Sequence, residues 1–139
     1  MFLVAMVALL STRALENSLT REKRDQEAEL LLVGQTYMNA IRSYYLNTPG
    51  FDKRYPPDLQ ALLLDNRATR ISRPLRKLYR DPITGDQNWG IVPAPDGGVM
   101  GVYSLSARRP VKIDGFPQGM ASFINATKYQ DWKFVYQPS

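Results

Sequence analysis

The stretch Leu30-Leu31-Leu32-Val33-Gly34-Gln35-Thr36-Tyr37-Met38-Asn39-Ala40-Ile41-Arg42-Ser43-Tyr44-Tyr45 decides the fold. Its members Leu30, Leu31, Val33, Tyr37, Met38, Ile41, Tyr44 and Tyr45 recur at spacings of three and four, which gathers them into one apolar stripe on an α-helix. Such a stripe must be covered, and the chain downstream offers short strands rather than a second long helix. The reading is α+β: a long N-terminal α-helix packed on a small antiparallel sheet of at least three strands.

Working back from this stretch, no glycine, proline or turn cluster interrupts Met1 through Val33, so one helix is expected from near residue 2 to about Tyr45. It begins with a continuously apolar run, in which Phe2, Leu3, Val4, Val7, Leu9 and Leu10 are the anchor residues. At about 1.5 Å per residue the run reaches roughly 15 Å, about half of a bilayer core of about 30 Å. It cannot span alone, and the expectation is a longer hydrophobic helix whose first turns lie before Met1. A secretory signal would require a basic region before the run and an Ala-x-Ala-like site after it, and neither occurs. The segment that follows is charged on all sides: Arg13, Arg21, Lys23 and Arg24 against Glu16, Glu22, Asp25, Glu27 and Glu29. Its balance of sign fits subunit contacts along a shaft, with Arg13, Glu16, Arg21, Glu22, Arg24 and Glu27 as the assembly residues. Residues 1–29 thus read as anchor and shaft, and 30–139 as a head.

Working forward, Asn47-Thr48-Pro49-Gly50 ends the helix. Tyr55 to Leu64 reads as a short helix with Leu59, Leu62 and Leu63 on one side, and Arg73 to Tyr79 as another brief helical turn, closed by Asp81-Pro82-Ile83-Thr84-Gly85. Trp89 to Val92 and Val99 to Ser104 flank a connection dense in turn formers and read as a hairpin. Trp132-Lys133-Phe134-Val135-Tyr136 supplies a third strand with its aromatic side chains on one face. Between 108 and 130 the chain makes an irregular excursion anchored by Phe116, Phe123 and Tyr129.

Absence of histidine and cysteine removes thiol nucleophiles, zinc-finger spacings and every Ser-His-Asp arrangement. Asp81, Asp86 and Asp96 could be taken for an acid pair, but Asp81 and Asp96 stand in turn contexts, and Gly97-Gly98 lacks the lysine and helix of a phosphate loop. No enzymatic role is expected. The net charge of +5 falls in the head, where Arg67, Arg70, Arg73, Arg76, Lys77 and Arg80 form a run with no acid between Asp65 and Asp81. Such a run is either a solvated loop or a docking patch for phosphate-bearing lipid, nucleic acid or an acidic neighbour. Only Tyr79 is near enough in sequence to stack on a base, which argues against nucleic acid.

Several of these features together resemble the type II secretion-like pseudopilins. They are the apolar helix, Tyr55-Pro56-x-x-Leu59, Leu75 to Gly85, Trp89-Gly90, Gly97 to Ser104 and Asp131 to Tyr136, a series covering nearly the whole chain. The resemblance implies a structural subunit anchored once in the inner membrane, with its head in the periplasm, assembling through its helix with other pseudopilins and secretion-assembly proteins as a homo- or hetero-oligomer. It also implies a glycine-ended leader, cleaved and N-methylated by a prepilin peptidase. Neither that leader nor the family's Phe-Thr-Leu-x-Glu start occurs here, and Glu16 lies too far along to stand for the early glutamate, so no processing site is assigned. Major pseudopilins often hold calcium near their C-terminal loops; between 108 and 139 only Asp114 and Asp131 are acidic, and no cofactor is expected. The alternative function is a membrane-tethered binding module for nucleic acid or an anionic envelope ligand.

Overall fold

A computed structural model describes residues 2–67, 71–111, 116, 120, 123 and 126–138, with side chains described from Arg21 onward. One unbroken helix, α1, runs Phe2–Leu46. Its C-terminal half is held by the stripe: Leu30, Val33, Tyr37, Ala40, Ile41 and Tyr44 are all buried. Leaving the helix, Asn47 N–H donates to Ser43 O at 3.0 Å and Thr48 Oγ1 to Tyr44 O at 3.1 Å. Lys53 Nζ then donates to Leu46 O (3.1 Å) and Thr48 O (2.9 Å), placing a cation on the carbonyls that the helix end leaves without intrahelical partners.

The sheet is a meander, β1 (Gly90–Pro93), β2 (Val99–Tyr103) and β3 (Lys133–Val135), in spatial order β1-β2-β3 with both pairings antiparallel. Ile91 pairs with Val102, and Val102 with Phe134; the register shifts between Val92 and Pro93. The β1–β2 turn closes through Ala94 N–H to Gly98 O at 2.8 Å, with Gly97 at φ +90°, a backbone region costly for any residue with a Cβ. Helix α1 lies against β2 and β3. The fold is therefore α+β, one long helix on a three-stranded antiparallel sheet.

At the centre, Trp132 and Phe134 are wholly buried, and Phe123 stacks on Trp132 with ring centroids 5.5 Å apart. Phe134 meets the helix at Gly34, where any β-carbon would overlap its ring. Sequence spacing alone allows a backbone to approach Gly34; the group that approaches is an aromatic side chain. Tyr37 is a second hub, its hydroxyl accepting from Tyr79 N–H at 2.9 Å while Trp89 Nε1 donates to Tyr79 O at 2.9 Å.

Two expected helices differ. Between Tyr55 and Leu64 only a single 3-10 turn forms, Gln60–Leu62, because Pro56 O accepts from Val99 N–H at 2.7 Å and Pro57 disfavours helical backbone at the residue before it. Residues 73–79 form no helix. Their strap is laced to distant chain instead: Asp65 and Ser72 exchange backbone bonds at 2.7 and 2.9 Å, Leu75 N–H donates to Leu62 O at 2.9 Å, and Tyr79 is bound to Tyr37. The excursion is closed at its base by Tyr129 N–H to Arg108 O (3.0 Å) and Gln130 N–H to Ser106 O (3.2 Å).

Candidate functional site

Each anchor residue, Phe2, Leu3, Val4, Val7, Leu9 and Leu10, lies on α1, as do Arg13 and Glu16; their side chains are outside the described set. Among the described residues no helix is long and apolar enough to cross a membrane. From Arg21 the shaft is visible in full, and Arg21, Glu22, Lys23, Arg24 and Asp25 are all exposed.

Glu27 departs from its neighbours. It was expected to be an exposed shaft charge, but it is 2% exposed, its Oε1 accepting from Tyr129 O–H at 2.5 Å and from Val111 N–H. A buried carboxylate is tolerated where hydrogen bonds replace its water, and here donors from the excursion do so. Burial and the adjacent Glu27 carboxylate raise the pKa of Tyr129 well above the usual phenol range, so its proton stays in place as the donor. The sequence carries a signal for this position: Glu27, Leu30, Gly34, Tyr37, Ile41 and Tyr44 follow one another at spacings of three, four, three, four and three, a single line down the buried face.

The basic run also divides. Arg67 does not belong to a docking patch: its Nε and Nη2 donate to the two oxygens of buried Asp65 at 2.8 and 2.9 Å, and its Nη1 to Thr48 Oγ1 at 2.8 Å. Its guanidinium also lies 3.5 Å above the centre of the Tyr44 ring. The hydrogen bonds from Arg67 hold the Asp65 carboxyl below the usual carboxylate range, and the same bonds raise Arg67 further. This cluster ties the strap to the end of α1. Arg70 lies outside the described residues. Arg73, Arg76, Lys77 and Arg80 are exposed; Arg73 is steadied by Leu63 O at 3.2 Å and Arg76 O at 3.1 Å, and Lys77 sits 5.0 Å from the Tyr79 ring centre. The acids that bracket the run in sequence are both buried and internally bonded, Asp65 as above and Asp81 through Ser104 Oγ at 2.5 Å and Ile83 N–H at 2.9 Å. Four exposed cations therefore follow one another along the strap with no exposed carboxylate between Asp65 and Asp81.

A cleft of about 270 Å³ opens between Tyr44, Arg54, Tyr55, Arg67 and Gly97-Gly98. Its carboxylate, Asp96, already accepts from Tyr55 N–H (3.0 Å) and Gly98 N–H (2.8 Å), and Arg67 is committed to Asp65, so these two of its three charged groups serve the fold. Of the two acids in the C-terminal loops, Asp114 lies outside the described residues. Asp131 Oδ2 is occupied by Thr127 N–H, Thr127 Oγ1 and Lys128 N–H, whereas calcium takes about six to eight oxygens. No group of three or more acidic ligands that could hold a metal occurs among the described residues. Comparison with protein-family models, with curated proteins and with solved structures gives no match.

Proposed function

We propose that this chain is a pseudopilin-type structural subunit, anchored once in the inner membrane by the start of α1, with its head in the periplasm, and polymerising through its helix with copies of itself or with other pseudopilins. The observation that carries the reading is the division of one 45-residue helix: side chains from Arg21 to Asp25 are exposed, and burial against the head begins at Glu27. A helical segment exposed on successive residues is costly to keep ordered in water by itself, and an apolar start followed by a charged shaft suits lipid and neighbouring shafts. The sequence resemblance names the machine; the geometry supports only that a small head sits on one end of a long rod.

The test is fractionation of the full gene product with external protease treatment of spheroplasts, together with disulfide trapping of Val7→Cys between copies. The expected result is a membrane-embedded chain whose head is cut from outside and which forms Val7–Val7 dimers. A soluble cytoplasmic monomer would sink the proposal. The exposed cluster Arg73, Arg76, Lys77 and Arg80 favours a second reading, a tethered binder of an anionic ligand, which predicts membrane anchoring without those dimers.

A further inference from the structure

At 100° per residue Glu22, Asp25 and Glu29, spaced three and four apart, fall within about 60° of one another; Arg21 borders this group about 40° beyond Asp25, while Arg24 and Lys23 lie at least about 100° from each of the three. All three carboxylates are exposed, and no ion pair joins them to another described residue; between described residues the one ion pair is Arg67–Asp65. The same holds for the four strap cations Arg73, Arg76, Lys77 and Arg80. Among the described residues the chain thus carries an acidic group and a basic group that no ion pair joins to anything within the copy.

Within a single copy these groups do not meet. The strap is fixed at the height of Tyr37 by Tyr79 and at the height of Tyr44 by Arg67. Glu29, the nearest of the three acids, lies eight residues below Tyr37, or about 12 Å along the axis at 1.5 Å per residue, which exceeds a Debye length of about 8–10 Å, and Asp25, the middle one, lies about 18 Å below. A second copy shifted along the axis by that distance brings its acidic flank level with the strap. Lipid headgroups fit less well: if the first ten residues occupy the bilayer, Tyr37 stands about 40 Å above that end of the helix.

We infer that the strap Arg73–Arg76–Lys77–Arg80 docks on the Glu22–Asp25–Glu29 flank of a second copy of this chain, fixing the axial stagger between neighbours. The inference rests on the self-assembling reading above. Single exposed pairs contribute little, but three carboxylates against four cations on two pre-formed elements set orientation and exclude like-charged faces.

The chain has no cysteine, so a disulfide reports only the pair introduced. Two tagged full-length copies are co-produced in membranes, one with Glu22→Cys and the other with Arg80→Cys, the low ends of the two surfaces. The disulfide between them should form, should fall at least fivefold when the first copy also carries Asp25→Lys and Glu29→Lys, and should return when the second carries Arg76→Glu and Lys77→Glu. Val7→Cys trapping runs in parallel, and unchanged tryptophan-fluorescence melting confirms that these exposed substitutions leave the head folded. Val7 dimers without the Glu22–Arg80 disulfide overturn the docking and leave assembly standing; loss of both overturns docking and assembly together. Failure of the reversed pair to restore the disulfide also overturns it. Loss of binding to phosphatidylglycerol vesicles or to an oligonucleotide by the Arg76→Glu, Lys77→Glu chain, with trapping unaffected, assigns the strap to that ligand instead.

Discussion

Truncating Glu27 to alanine removes an acceptor shared by the buried Tyr129 O–H and the half-buried Val111 N–H. A buried donor left without a partner costs about 1–3 kcal/mol, and the half-buried N–H adds less because water can reach it, so the loss should be about 1–4 kcal/mol, against a gain of a few tenths from alanine's helix propensity. For a domain of this size total stability is about 5–15 kcal/mol, which makes the loss a large share of the whole. Glu27→Gln keeps one acceptor oxygen in place, gives up the charge, and should lose about half as much or less. Five residues earlier, Glu22 is exposed, and Glu22→Ala should fall within about 0.5 kcal/mol of the parent. Urea unfolding followed through Trp89 and Trp132 reads all three, since both are buried in the core and Trp132 packs edge-on against Tyr129. The reasoning is refuted if Glu27→Ala and Glu22→Ala have the same midpoint, because a solvent-facing Glu27 would behave as Glu22 does.

Ile41 is fully buried on the helix face, so Ile41→Asp should abolish the cooperative melting transition of the head; a burial contribution of about 1.5–3 kcal/mol is lost and a charge is left without partners. An unchanged melting curve would contradict helix–sheet packing. Gly34→Leu must displace the Phe134 ring and should cost at least about 2 kcal/mol in the same urea assay, whereas Leu32→Ala, on the exposed side of the same turn, should cost less than about 0.5 kcal/mol. Asp65 has its pKa lowered by Arg67, so its contribution is present above the ordinary aspartate value near 3.8 and is lost as pH falls through the lower folded value. Stability measured from pH 5 down to pH 2 should therefore fall less steeply for Asp65→Asn than for the parent, and equal slopes would remove the ion pair from the account.

Legibility followed the range of the interactions involved. The helix from residue 2, its buried stripe, the hairpin and the third strand were readable because each has a local period or a turn whose chemistry is set by adjacent residues, as at Asp96-Gly97-Gly98. The strap was misread as helical because Leu75 and Leu78 at a spacing of three imitate a helix face, while the bonds that decide its path run to Leu62, Asp65 and Tyr37, far off in sequence. Arg67 looked like one more member of a basic run. Only the third dimension brings Tyr44 and Thr48 beneath it, although the Asp65-x-Arg67 spacing is a short-range sign that this arginine has a partner. Neighbouring Arg73, Arg76 and Lys77 have no such acid and stay exposed.

Glu27 carries the consequence furthest, because it moves the point at which rod becomes head. Counted by charge, residues 13–29 form one evenly balanced segment; counted by face, the stripe that begins at Glu27 already belongs to the core. A carboxylate held by Tyr129 and Val111 cannot also set register with a neighbouring shaft, since turning outward would strand both donors. Removing it from the shaft leaves Glu22, Asp25 and Glu29 as the described exposed acids, and these three share a flank. The carboxylates of the shaft are therefore grouped rather than uniformly spread, within about 60° of one another, with Arg21 at their edge and Arg24 and Lys23 on other faces. Such a rod can meet an identical rod in few relative rotations without opposing like charges, and that restriction on rotation, more than the strength of any one pair, is what a charged shaft of this kind contributes to assembly.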